Sequence, residues 1–172
     1  ASVALVNNAQ REHQEFMGTV EAVARENGAV ISSLGTDGVA VFPSDDAYTA
    51  IWRELAGHRK VLTFSDSDTH AEVHCLRADW QGDAWALDFV TPAGKGQSRI
   101  HIAGRHNVRN ALAAVACAQA AGVPLPMIEQ GLAAFVPVGG RSRALAVSLS
   151  GRQLTVVDDT YNANPDSVMA AI

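Results

Sequence analysis

Two asparagines one helical turn apart, Asn107 and Asn110, are the residues in this chain best placed by type and spacing to do chemistry. An amide side chain carries a donor and an acceptor together, the pair that matches the N6 and N7 edge of adenine. Both sit where a short extended run turns into an alanine-rich stretch, and aligned backbone N–H groups at a helix start favour anions. A purine nucleotide is therefore one reading. An ordinary N-cap at Asn107 with a solvated Asn110 would give the same spacing, so this stretch alone leaves both open.

The element that must position the pair is a helix predicted over 107–121. Val108, Ala111, Leu112, Val115 and Ala118 recur at helical spacing and form one buried face, while Asn107, Asn110 and Ala114 run alongside it. Upstream, short apolar runs at 3–6, 29–32, 39–42 and 60–64 read as strands, the first buried on both faces. Helices are expected over 19–27, with Gly28 as its stop, and over 47–56. This alternation points to an α/β fold with a parallel sheet. The pattern then changes: 71–80, 84–91 and 97–102 read as three strands of a small antiparallel sheet, joined by turns at 81–83 and 92–96. A second helix follows over 124–134, then a Pro/Gly linker, then a hairpin of 143–149 with 153–157 around Ser150 and Gly151.

The chain has 172 residues, 48% of them hydrophobic and 18% charged, as in an ordinary soluble globular protein. A formal charge of −5 argues against a nucleic-acid partner held through phosphates. No run is long and apolar enough to span a membrane, since 111–123 is too short and is interrupted by Gln119. Cys75 and Cys117 lie within regular apolar patterns, which suits free thiols in a reducing, cytoplasmic setting. The first residue, Ala1, leads straight into a strand, so the chain reads as starting in mid-fold.

Three stretches taken together resemble the Mur ligases, ATP-dependent amino-acid ligases of peptidoglycan synthesis. They are Gly104-Arg105-His106-Asn107-Val108-Arg109-Asn110, the Gly140-Arg141 pair after the linker, and Asp158-Asp159-Thr160-Tyr161-Asn162-Ala163-Asn164-Pro165. The last is similar to the run in the family branch that joins D-alanyl-D-alanine to a UDP-muramoyl tripeptide. Val6-Asn7-Asn8 and Glu12-His13 extend the likeness towards the start.

The resemblance implies an α/β chain holding the later part of the central ATPase domain over 1–136, with its parallel sheet and small antiparallel sheet. The linker and the opening of an α/β C-terminal domain would occupy 137–172. It implies ATP and magnesium as cofactors, with Asn107 and Asn110 on the adenine, His106 packed beside it, Arg141 at the phosphates and Asp159 on the ribose hydroxyls. A guanidinium suits phosphate oxygens through paired hydrogen bonds. Tyr161, Asn162 and Asn164 fall on cleft residues, and His13 on a magnesium-binding histidine with Glu12 beside it. His13 and Arg141 would be the catalytic pair.

Two departures stand out. Where several family members carry a carbamylated lysine this chain has Asn27, and no Gly-Lys-Thr or Gly-Lys-Ser phosphate loop occurs, since Gly94-Lys95-Gly96 lacks the pattern. The expectation is thus a fragment of a small-molecule ligase, inactive alone and prone to self-association, from a longer protein that is monomeric. A folylpolyglutamate-synthetase-like ligase and a non-catalytic nucleotide-binding module are the alternatives.

Overall fold

The computed structural model describes residues 1–11, 17–161 and 168–169. Six strands form one sheet in the order of the chain: β1 (Val3–Leu5), β2 (Val39–Pro43), β3 (Lys60–Ser65), β4 (Val73–Trp80), β5 (Trp85–Thr91) and β6 (Gly94–Ile100). The first four run parallel, and β4, β5 and β6 continue as an antiparallel meander. The expected small antiparallel unit is therefore the far half of the same sheet. Helices α1 (Val20–Ser32), α2 (Thr49–Ala56), α3 (His106–Ala120) and α4 (Leu125–Ala133) are joined by a separate hairpin, β7 (Arg143–Leu149) with β8 (Arg152–Asp158).

Strand β2 shows why the sheet is covered on both sides. Its side chains alternate across the sheet, so Ala40 and Phe42 pack with Ala24, Ile31 and Trp52 of α1 and α2, while Val41 faces the opposite layer. There Val108, Leu112 and Val115 of α3 meet Leu62, Phe64, Leu87 and Phe89, and all seven are 8% exposed or less. The helical spacing of α3 thus becomes one wall of the larger core.

Three expectations are corrected. Residues 29–32 are the last turn of α1, not a strand, and Gly28 lies inside the helix. A Cβ at Gly28 would come within 2.5 Å of Leu55 and 3.0 Å of Trp52, so this glycine is a contact point between α1 and α2. The segment 92–96 is not an open loop either: the turn is Pro92 and Ala93 alone, with Thr91 paired to Gly94 and its Oγ1 accepting from Ala93 N at 3.1 Å. Gly96 belongs to β6 because the ring of Phe89 fills the space its side chain would need. Finally, β1 is an edge strand whose Leu5 is 38% exposed, so it is not buried on both faces.

Candidate nucleotide-binding cleft

The carboxyl ends of the parallel strands open into a cavity of about 810 Å³. Asn7, Asn8 and Gln10 after β1, Asp45 and Asp46 after β2, and His106, Asn107, Arg109 and Asn110 at the start of α3 line one side; Arg141, Ser142 and Asp159 line the other. In open α/β sheets this end is where ligands bind. A smaller apolar pocket of about 140 Å³ adjoins it, walled by Ile100, Ile102, Ala111, Ala114, Leu132 and Phe135 and shared at its mouth by Asn107 and Asn110. The sequence spacing that put Asn107, Asn110 and Ala114 on one helix edge is the edge that faces this pocket.

Asn107 does not cap the helix. Helix α3 begins at His106, Arg105 occupies the cap position without a side-chain bond, and Asn107 lies one residue further in, 9% exposed. Its Nδ2 donates to the Ala103 carbonyl at 2.6 Å and lies 3.0 Å from His106 Nε2. Asn110 donates to Asn107 Oδ1 at 3.0 Å and accepts from Asn7 Nδ2 at 3.0 Å. Gly104, at φ 85°, turns the chain into α3, and a Cβ there would meet the His106 ring at 2.5 Å.

Sequence reasoning missed an ionic strut beside the amides. Arg109 forks onto Asp45, Nη2 to Oδ1 at 2.6 Å and Nη1 to Oδ2 at 3.2 Å, and its Nη1 also reaches Asp66 Oδ1 at 3.2 Å. Ser65 and Ser67 hydroxyls donate to Asp45 Oδ2 at 2.6 and 2.7 Å. Burial alone would raise the Asp45 pKa, but these donors outweigh it and hold the carboxyl at about 2. The strut ties α3 to the ends of β2 and β3, which fixes the helix carrying Asn107 and Asn110. Its only sequence signal was an acidic pair following a strand, at Asp45 and Asp46.

Across the cleft, Asp159 Oδ1 accepts from Ser142 N at 3.0 Å and Ser142 Oγ at 3.3 Å, and Oδ2 takes no bond from a described residue. Asp158 turns elsewhere, accepting from Gly140 N and Thr160 Oγ1 at 3.1 and 2.7 Å, and those bonds lower its pKa. Only one of the acidic pair lines the cavity, as alternation along the strand demands. Ser142, at φ 47°, is a non-glycine residue in the left-handed region; its carbonyl accepts from Ala103 N at 2.8 Å and bridges the two sides. Arg141 stacks its guanidinium 3.8 Å above the Tyr161 ring.

Of the remaining expected site residues, Glu12, His13, Asn162 and Asn164 lie outside the described residues. Asn27 donates to the Asn8 carbonyl at 3.2 Å, so its amide secures the turn after β1. Among the described residues, no cluster of three or more His, Cys, Asp or Glu has the form of a metal site.

The Mur ligase middle-domain model matches residues 1–118, more than half of the chain. The chain belongs to the Mur ligase family. It is 34% identical over 98% of its length to the UDP-N-acetylmuramoyl-tripeptide–D-alanyl-D-alanine ligase of Escherichia coli, of which it covers 37%. A UDP-N-acetylmuramate–L-alanine ligase from Renibacterium salmoninarum is 33% identical over 99% of the chain, which covers 36% of it. Among solved structures, MurF from Acinetobacter baumannii superposes with a TM-score of 0.87 at 31% identity, over 98% of this chain and 36% of that one. The chain thus spans a little over a third of the length of these Mur ligases. Its six-stranded sheet and separate two-stranded sheet match the architecture of that structure. Among the described residues no helix is long and apolar enough to cross a membrane, and Cys75 and Cys117 are free thiols.

Proposed function

We propose that this chain is the nucleotide-holding centre of a longer ATP-dependent ligase that joins D-alanyl-D-alanine to UDP-N-acetylmuramoyl-tripeptide in peptidoglycan synthesis. Residues 1–136 supply the later part of its central domain, and 137–172 the linker and the opening of the next. The observation that carries the reading is the pairing of Asn107 and Asn110 with an apolar pocket of base-sized walls, opposite Arg141 and Asp159 in one cavity. Asn110 reads the base edge, His106 packs beside it, and Asp159 Oδ2 accepts a ribose hydroxyl. Arg141 spreads phosphate charge, and Tyr161, on which it stacks, holds it at the rim.

In the reaction a carboxylate oxygen of the tripeptide attacks the γ-phosphorus of ATP and ADP leaves. The free amine of D-alanyl-D-alanine then attacks the acyl carbon, phosphate leaves, and the amine loses a proton as the amide forms. Catalysis is mainly positioning and charge neutralisation. His13 with Glu12 would hold a magnesium ion, which would supply positive charge to the transferring phosphate oxygens. Asn162 and Asn164 belong to the same rim. The longer protein works as a monomer in the cytoplasm, and the open edges of the β7–β8 hairpin are where the chain alone would self-associate.

Phosphate release by the longer protein, with ATP, magnesium and UDP-muramoyl tripeptide, tests this reading against three acceptors. D-alanyl-D-alanine should support turnover, and L-alanine or L-glutamate should not. Turnover with L-glutamate would place the chain with folylpolyglutamate-type ligases, and turnover with L-alanine with a sister Mur ligase. Nucleotide binding without turnover on any acceptor would leave a non-catalytic nucleotide-binding module.

A further inference from the structure

Ser142 has a backbone conformation that its place in the chain does not call for. At φ 47° it lies in the left-handed region that non-glycine residues seldom adopt. The other such residue, Ser150 at φ 50°, sits in the tight turn between β7 and β8, which requires that conformation. Ser142 instead precedes β7 directly and belongs to no hairpin turn. It is also 4% exposed, and among the described residues from 133 onward only Gly140 and Ser142 are buried. An unfavourable conformation at a buried polar residue persists only where its surroundings hold it there.

Those surroundings fix Ser142 from both sides. Before it, Gly140 N donates to Asp158 Oδ2 at 3.1 Å, Tyr161 N to the Gly140 carbonyl at 3.0 Å and Arg141 N to the Val138 carbonyl at 3.1 Å. After it, Arg143 pairs with Asp158 in the β7–β8 register, and the Ser142 carbonyl itself accepts from Ala103 N at 2.8 Å. None of these contacts uses the Asp159 carboxylate. That carboxylate, among the described residues, takes hydrogen bonds from Ser142 alone, both on Oδ1: from N at 3.0 Å and from Oγ at 3.3 Å. The dependence therefore runs from Ser142 to Asp159. With the carbonyl held by Ala103, a negative φ would turn the Ser142 N–H away from Asp159, so the left-handed conformation is what lets one residue hold both.

We propose that Ser142 is a positioning residue: it clamps Oδ1 of Asp159 with two donors, leaves Oδ2 for a ribose hydroxyl, and ties that aim to the α3 side of the cleft through Ala103. The inference rests on the nucleotide reading above. Ser142 and Asp159 both line the larger cavity. The Ala103 carbonyl in turn accepts from Asn107 Nδ2 at 2.6 Å, so one line of hydrogen bonds crosses the cleft from Asn107 to Asp159. A carboxylate that accepts two bonds on one oxygen is no longer free to rotate, and the ribose meets an acceptor already in place. Without the Ser142 donors the nucleotide itself would have to order the carboxylate, at a loss of affinity.

Calorimetric Kd values for ATP and 2′,3′-dideoxy-ATP in the longer protein, unsubstituted and with Ser142→Val, Ser142→Gly or Asp159→Asn, test this beside thermal unfolding. The ratio of the two Kd values isolates the ribose hydroxyls, since base and phosphates are common to both nucleotides. For the unsubstituted protein we expect ATP to be preferred about fivefold, the effect of one hydrogen bond to a charged acceptor. Valine is branched at Cβ, lacks the hydroxyl and resists a positive φ, so the ratio should fall to about one. Glycine adopts that φ freely and keeps the backbone donor, so about threefold should remain. Should Ser142→Val fail to fold, Ser142→Thr, which is branched but keeps the hydroxyl, decides in its place with an expected ratio of about two. A role confined to folding would lower the unfolding temperature and leave the ratio unmoved in the valine or threonine variant, and that outcome overturns the proposal. If the unsubstituted protein binds the two nucleotides alike, the ribose role of Asp159 falls and the proposal with it. If the ratio collapses in Asp159→Asn yet survives in Ser142→Val, the nucleotide reading stands and the role of Ser142 does not.

Discussion

The two sides of the cleft are built differently. On one side, α3 packs Val108, Leu112 and Val115 into the sheet with no exposure, and Arg109 anchors the helix to two neighbouring loops. On the other side, Arg141 and Asp159 extend from a hairpin whose Leu149, Leu154, Val156 and Val157 are 45–61% exposed. Among the described residues, that hairpin is joined to the first side by the Ala103 to Ser142 backbone bond and by cavity walls, not by a shared core. The side proposed to hold the base is preformed by burial. In this chain the side that carries charge is held by polar bonds, which exchange at lower cost than buried apolar contacts.

The strongest way to break this comparison is to cut an equivalent leucine from each side. Leu112→Ala should destabilise the chain by about 2–5 kcal/mol through cavity formation. Leu154→Ala should cost about 1 kcal/mol or less, since nearly half of that side chain is already in water. Urea unfolding of both variants measures this, and equal losses would show that the hairpin shares the core.

Gly28→Ala sharpens the same contrast behind the recognition side. Helix propensity alone favours alanine by about 1 kcal/mol. The 2.5 Å approach of Leu55 reverses the sign, and we expect a net loss of about 1–3 kcal/mol in thermal unfolding.

The ionic strut gives a smaller effect with a defined pH dependence. Asp45→Asn should cost about 1–2 kcal/mol at neutral pH, because the pair is partly solvated. The folded carboxyl titrates at about 2, below its ordinary 3.8. Its contribution is therefore complete above about pH 4 and is lost as pH falls towards 2. The difference in unfolding free energy between the native chain and Asp45→Asn, followed from pH 6 to pH 2, should shrink over that interval; a constant difference would mean that Asp45 titrates alike folded and unfolded.

The smallest expected change is at the charged side. Asp159→Asn should weaken ATP by about 1 kcal/mol and leave 2′,3′-dideoxy-ATP nearly untouched, because only a ribose with hydroxyls can donate to the carboxylate. Parallel binding titrations with the two nucleotides check this, and equal losses would make the aspartate a brace for Ser142 only.

These contrasts also mark what could be read from residues alone. The parallel half, the meander and α3 were legible because burial imposes a period on each of them: continuous in β2, alternating in β5, helical over 106–120. Gly28 was misread because a helix-stopping glycine and a helix-contact glycine look the same until the facing Trp52 and Leu55 are placed. The Gly94 to Gly96 stretch was misread for a related reason, since the ring that requires Gly96 comes from the neighbouring strand. In the cleft, Asn107, Asn110, Arg141 and Asp159 were legible through their motifs. The bonds around them were not: Arg109 meets Asp45 across 64 residues and Asn7 meets Asn110 across 103. No local pattern records bonds of that separation.

The central claim is that Asn110 and the apolar pocket beside it hold the base. Titrating the ¹⁵N-labelled chain with adenosine, and following side-chain amide signals by NMR, tests it most directly. The account predicts saturable shifts of the Asn110 side-chain amide and of the backbone amides of Ala111 and Ala114, and at least tenfold weaker binding in Asn110→Ala, equivalent to about 1.4 kcal/mol. Adenosine binding that leaves those signals in place, or is unaltered in a folded Asn110→Ala chain, would contradict it.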